Sequence, residues 1–293
     1  MPTESKSVIH DIGYRTYAGP RRGAGAIARS LFLTGLLNAY GLGRSGKAKV
    51  LPMSMLGFAL VPALIIVALL VTVGFSEFVD YSTYSNTMFV LVIVFVAGQA
   101  PVLFTRDLRS GSIVLYLARP LSPAVFAMVR WLSLAVAIFT FLFIPVLLLY
   151  VGALAAESDV SEQSADFALA VVGLVILSVV LATVSGLVSA FTLRRGLAVG
   201  AIIVALLVTN GFVAAVKGIA LSTGNESVGV WFGLFSPFSL FDGIQSSLLD
   251  GTSFYPLPPQ GFAMVTVYLL WAALVVGGGL WLLIQRYYRQ GLR

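Results

Sequence analysis

Hydrophobic residues run along this chain in six long blocks separated by short polar breaks: about Val50 to Phe75, Thr87 to Phe104, Val125 to Ala156, Phe167 to Leu193, Leu197 to Val216 and Phe262 to Ile284. Blocks of about twenty apolar residues read as membrane-crossing helices, since in lipid each backbone polar group must be satisfied within its own segment. Pro52 falls in the first turn of the first block and Pro62 predicts a kink. The third block continues an apolar pattern that starts just after Pro123. Ala124 to Arg130 is therefore expected to extend into the cytosol, with Arg130 and Trp131 at the interface.

Three further stretches carry an amphipathic pattern without the length to cross. Leu33, Leu36, Leu37 and Tyr40 fall at i, i+3, i+4 and i+7 while Ser30, Thr34 and Asn38 line the other side. This predicts a helix in the headgroup plane, with Arg29 snorkelling from its apolar side. Between the fifth and sixth blocks, Ser236 followed by Pro237 reads as a cap and first-turn residue, and Leu240, Phe241, Ile244 and Leu248 then repeat at helical spacing until Asp250-Gly251. Trp231, Phe232, Leu234 and Phe235 form a second short apolar piece. One or two helices dipping into the outer leaflet are expected here, carried by Trp231, Phe235, Pro237, Phe241 and Ile244. The third stretch, Thr105 to Pro123, is a polar break with its own apolar run, Ile113 to Leu117, and predicts a short helix resting at the membrane surface.

Charge orients the blocks. If the two termini share a side, that side holds every Lys and Arg but Lys217. The opposite side then holds Glu77, Asp80, Glu157, Asp159, Glu162, Asp166, Glu226, Asp242 and Asp250. The Lys/Arg bias sets the orientation rule, so six spans with both termini cytosolic are predicted. The chain divides into a basic arm with an interfacial helix (1–49), a transmembrane domain (50–284) with a cytosolic loop at 105–123 and an external segment at 217–261, and a basic tail (285–293). The arm holds eight cations against Glu4 and Asp11. It lacks the basic-then-apolar pattern of a cleaved signal peptide, so the N-terminus is expected to be retained.

Composition narrows the chemistry. Of 293 residues, 59% are hydrophobic and 10% charged, against roughly 25% charged in an ordinary soluble domain. There is no cysteine and His10 is the single histidine, which argues against a metal centre and against nucleophilic catalysis in the membrane. No catalytic, cofactor-binding or metal-ligating residue is assigned, and no nucleic-acid partner is expected. No Asp, Glu or Lys falls inside a span so drawn, although one central charge costs roughly 3 kcal/mol that ion-coupled carriers accept for function. The deepest polar residues, Gln99, Thr140, Thr183, Thr209 and Asn210, are expected to hydrogen-bond between helices. Gly41, Gly46 and Lys47 have the spacing of a phosphate-binding loop. Ala48 replaces the Ser or Thr needed for magnesium, no strand precedes, and Pro52 follows, so a flexible basic linker is expected instead. Small residues line one side of the fourth span (Ser178, Ala182, Ser185, Gly186, Ser189, Ala190), and Gly196 with Gly200 forms a GxxxG pair. Such faces bring helices together within a bundle or between subunits.

In its order of elements the chain resembles the permease subunit of a bacterial ABC exporter of the type 2 family. The loop between the second and third spans is similar to the family's coupling helix: Arg106 and Asp107, then Gly111-Ser112, then Leu115 and Leu117, then Pro120-Leu121-Ser122, with Arg130 at the start of the next helix. The resemblance covers about Ser30 to Tyr288 and is one of spacing and order. It implies a multi-pass protein of the bacterial cytoplasmic membrane, not itself an enzyme. ATP and magnesium would be bound by a separate cytosolic ABC ATPase, and a second permease copy or homologue would complete the unit. It also implies that Arg106, Asp107, Arg109, Gly111, Leu115, Tyr116, Leu117 and Arg119 couple to that ATPase, and that a hydrophobic or amphipathic substrate moves outward. The alternative is a non-transporting scaffold or sensor that keeps an ATPase partner.

Overall fold

The computed structural model describes residues 19, 23–73, 80–105, 121–156, 160–192, 194–249 and 251–291. Among them the fold is all-α, with five helices long and apolar enough to cross a membrane and two bent helix pairs. In chain order, the helices are α1 (Ala24–Ala39), α2 (Gly46–Val73), α3 (Tyr81–Thr87), α4 (Phe89–Leu103) and α5 (Pro123–Ala155). They continue with α6 (Val160–Phe191), α7 (Arg195–Thr223), α8 (Glu226–Phe232), α9 (Pro237–Leu248) and α10 (Gly261–Gly291). A 3-10 turn, Gly233–Phe235, joins α8 to α9.

Helices α5 and α6 form the centre. Their most apolar windows are 56% and 50% buried, against 17% to 22% for α2, α7 and α10, so these three present apolar faces outward, as lipid-facing helices do. Leu64, Ile65 and Leu69 of α2 and Leu270 and Leu274 of α10 are examples. Helix α4 is wedged among α2, α5, α6 and α7. Phe95 stacks on Phe141 of α5 at 4.4 Å between ring centroids. Gly186 of α6 admits the ring of Phe104, where an added Cβ would stand 3.2 Å from Cζ.

Helix α1 lies across α5 and α4. Its buried stripe is Leu31, Gly35 and Ala39, while Leu33 and Leu37 of the predicted apolar side are 45% and 47% exposed. Two faces explain this. Gly35 lets α1 approach Ser133 of α5, whose hydroxyl donates to the Phe32 carbonyl at 3.2 Å, and Tyr40 Oη donates to the Ala137 carbonyl at 2.8 Å. Leu33 and Leu37 are left pointing outward, available to acyl chains.

Several boundaries differ from the sequence reading because capping and tertiary partners extend helices past the apolar blocks. The polar break between the first two blocks is helical from Tyr81, since Asp80 Oδ1 accepts the Ser82 and Thr83 amides at 2.9 and 3.1 Å. The chain bends by 62° between α3 and α4. Helix α6 starts at Val160 rather than Phe167, placing Glu162 in its first turn, where the helix dipole favours an anion. The expected flexible linker at 41–49 is a tight turn followed by helix. Gly41 takes φ +69°, and a Cβ there would strike the Ala48 carbonyl, while Lys47 and Lys49 already belong to α2.

Candidate functional site

The long helices sort the charged and polar residues into two ends. At one end, Arg44, Lys47 and Arg195 adjoin a single cavity with Gln99 of α4. Thr105 donates to the Ser189 carbonyl at 2.8 Å, and Arg286 of α10 donates to the Ala190 carbonyl at 3.4 Å. Arg130, 5% exposed, packs over the Phe126 ring at 5.3 Å. At the other end of α6, a 32-residue helix and so ~48 Å long, Tyr81 donates to Gln163 at 2.6 Å, and Tyr150 and Ser164 share a hydrogen bond of 2.9 Å.

This second end is built around a buried polar anchor. Asp242 of α9, 1% exposed, accepts from Asn86 Nδ2 at 2.9 Å, Ser253 Oγ at 2.8 Å, and the Phe254 and Tyr255 amides at 2.8 and 3.2 Å. Asn210 of α7 accepts from Ser236 Oγ and Tyr255 Oη, each at 2.8 Å. Burial of the Tyr255 phenol pushes its pKa up to about 12, with Asn210 opposing the rise and the Asp242 charge adding to it. Lys217 of α7 is fully buried, with Nζ 3.3 Å from the Leu257 carbonyl it donates to and 5.7 Å from the Tyr255 ring centroid.

Lys217 corrects a sequence boundary. The apolar block ends at Val216, which would leave Lys217 in the external segment, yet α7 continues to Thr223 and closes on Gly224 at φ +72°. The lysine is tolerated inside the helix because its partners come from a segment 40 residues further on. Leu257 presents its carbonyl from φ +57°, a left-handed conformation that costs a non-glycine residue roughly 1 kcal/mol.

The external segment folds back on itself. Helix α8 with its 3-10 turn and helix α9 meet at 118°, and the corner is Ser236-Pro237. Ser236 caps α9, with its Oγ 3.5 Å from the Ser239 amide, while its hydroxyl proton goes to Asn210. Phe241 and Ile244 are buried with Pro237, whereas Trp231 and Phe235 are 51% and 60% exposed. Those two rings, with Leu234, Leu270, Trp271 and Leu274, line an apolar groove of about 350 Å³ between the hairpin and α10. Trp271 Nε1 holds its floor by donating to the Leu234 carbonyl at 2.9 Å.

The remaining predicted residues divide. Ser185, Gly186 and Ser189 are buried inside the bundle against the end of α4, whereas Gly196 and Gly200 lie on the outer face of α7 with nothing within 4 Å of an added Cβ. Among the deep polar residues, Asn210 bonds across elements and Thr183 accepts from Trp131 Nε1 at 2.9 Å. Thr140 donates to the Val136 carbonyl of its own helix and also pairs with the Tyr40 hydroxyl at the end of α1, whereas Thr209 donates to the Ala205 carbonyl of its own helix. Arg106, Asp107, Arg109, Gly111, Leu115, Tyr116, Leu117 and Arg119 lie outside the described residues. Among the described residues no group of three or more His, Cys, Asp or Glu is placed to hold a metal ion. The polar anchor itself was missed from sequence; its one local signal was the density of Asn, Ser and Asp around otherwise apolar helices.

No protein-family model matches the chain, and no curated protein matches it.

Proposed function

We propose that this chain is the membrane-spanning permease subunit of a type 2 ABC exporter, with six spans, both termini cytosolic, and a separately encoded ATPase as its motor. The observation that carries the reading is the hairpin of α8 and α9, bent at 118° and inserted immediately before the last long helix. Its short halves return to the end of the bundle they came from, so they count as a re-entrant element. The α3–α4 pair, bent by 62°, counts as one broken span, and the total is six. Helix α1, laid across α5 with Leu33 and Leu37 outward, matches an interfacial N-terminal helix. The end holding Arg44, Lys47, Arg195 and Arg286 is the cytosolic one by the Lys/Arg rule.

Lys217 and Asp242 do not favour an ion-coupled carrier. A coupling group must exchange its proton or ion along a path, whereas Asp242 already accepts four hydrogen bonds and Lys217 is tied to Leu257. Both act as anchors for the external hairpin. The loop from Arg106 to Arg119 follows directly on α4, so a rotation imposed there by ATPase closure would be transmitted to α4 and α5. The substrate class, hydrophobic or amphipathic, rests on the apolar groove beside Trp231 and Trp271.

The test is co-purification. Purified from its native membrane, the wild-type chain is expected to retain a Walker-motif ATPase subunit, and Leu115→Asp with Tyr116→Asp to release it while the permease itself stays folded. Unchanged retention would sink the coupling assignment, and absence of any Walker-motif ATPase in the native complex would sink the exporter reading.

A further inference from the structure

A cavity of about 290 Å³ opens between the first turns of α2 and α7 and the last turns of α4. Arg44, Lys47 and Arg195 line it, and no carboxylate is among the described lining residues. Because α2 begins at Gly46 and α7 at Arg195, the unpaired amides of two helix N-termini add to the same positive field.

Gln99 gives the cavity its polarity on the bundle side. It is 5% exposed and lines the cavity, and among the described residues its amide has no hydrogen-bond partner. A buried primary amide in an apolar helix is costly unless something accepts from it or donates to it. Its neighbours Leu51, Gly98 and Val102 offer no side-chain partner, so the partner has to come from whatever fills the cavity. Exposed apolar residues follow the cations on the same helices: Val50, three residues after Lys47, is 65% exposed, and Leu197, two after Arg195, is 62% exposed. A small soluble anion would pair with Lys47 and Arg195 and leave that apolar surface bare. A phospholipid covers both.

We propose that this cavity binds the phosphate of an anionic phospholipid. Lys47 and Arg195 pair with the phosphate oxygens, Gln99 donates its amide N–H to a phosphate or glycerol oxygen, and the acyl chains lie along Val50 and Leu197. Basic pockets between membrane helices on the cytoplasmic side are suited to such headgroups. The site does not depend on the exporter reading.

The experiment uses the full-length protein in detergent, measuring bound phosphatidylglycerol by quantitative mass spectrometry and its apparent affinity from thermal shift. Phosphatidylcholine and inorganic phosphate are run alongside. Wild type is expected to retain about one phosphatidylglycerol per chain, to prefer it over phosphatidylcholine, and to be unaffected by inorganic phosphate. Lys47→Gln with Arg195→Gln weakens binding on the order of ten-fold or more, and Gln99→Leu weakens it with no change of charge. Lys49→Gln with Arg289→Gln, which removes the same charge from exposed positions at that end, leaves it intact. Equal binding by the Lys47/Arg195 variant, or equal loss in the Lys49/Arg289 variant, overturns the site in favour of bulk surface charge. Competition by inorganic phosphate overturns the lipid as its source. If the double cavity variant does not fold, Gln99→Leu decides alone, and full retention by it refutes the proposal.

Discussion

Lys217 and Asp242 meet through Tyr255: the lysine Nζ stands 5.7 Å from its ring centroid, and the carboxylate accepts its backbone amide at 3.2 Å. The two are 0% and 1% exposed and come from helices separated in the chain by α8 and the 3-10 turn. Removing one member leaves the other buried with less compensation, a loss of about 3 kcal/mol. Lys217→Met and Asp242→Asn are each expected to lower the unfolding temperature in detergent. The double variant should lose less than the sum of the singles, with a coupling of about 1 kcal/mol. Strict additivity would show that the two anchors act separately.

Tyr255→Phe removes the hydrogen bond to Asn210 and is expected to cost about 1 kcal/mol near neutral pH. Because the folded phenol is raised from 10.0 to about 12, its contribution is complete below pH 10 and is lost as pH climbs toward the folded value. The stability gap between wild type and variant should therefore narrow between pH 10 and 12. A gap that stays constant over that range would place Tyr255 in contact with water.

Glycines on neighbouring helices are predicted to behave in opposite ways. Gly186→Leu forces the Phe104 ring aside and should destabilise the monomer by about 1–3 kcal/mol. Gly200→Leu meets nothing within 4 Å and should change monomer stability by less than about 0.5 kcal/mol. Thermal unfolding separates the two, and size-exclusion of the Gly200 variant reports whether that face joins subunits.

Helix α1 is held at two points, Gly35 against Ser133 and Tyr40 against Ala137. Gly35→Leu combined with Tyr40→Phe should speed hydrogen exchange across residues 24–40 while leaving α6 protected. Equal exchange in both helices would mean that α1 is integral to the bundle core.

The apolar blocks were readable from sequence because lipid imposes length and continuity on them, and the Ser236-Pro237 corner was readable because capping chemistry is local. Lys217 was not, since nothing beside it in sequence shows that Leu257 and Tyr255 will cover it. The helix that follows Asp80 was not legible in the polar break between the first two blocks for a related reason: the cap needs only Ser82 and Thr83, but the surrounding polarity hid the helix. The lipid-facing side of α1 with Leu33 and Leu37 was legible, but the stripe that packs on α5 was not, because close packing selected the smallest residue there, Gly35. Gln99 looked like a helix-to-helix contact and turned out to face a cavity.

The bond from Asn86 to Asp242 joins residues 156 positions apart. A ribosome must therefore deliver α3, α4, α5, α6 and α7 to the membrane before the acceptor for Asn86 exists. The residues that complete the shell, Ser253, Phe254 and Tyr255, emerge later still. The outer end of this protein thus closes only late in its biosynthesis, and a chain halted before residue 255 would leave a polar wound for quality control to read.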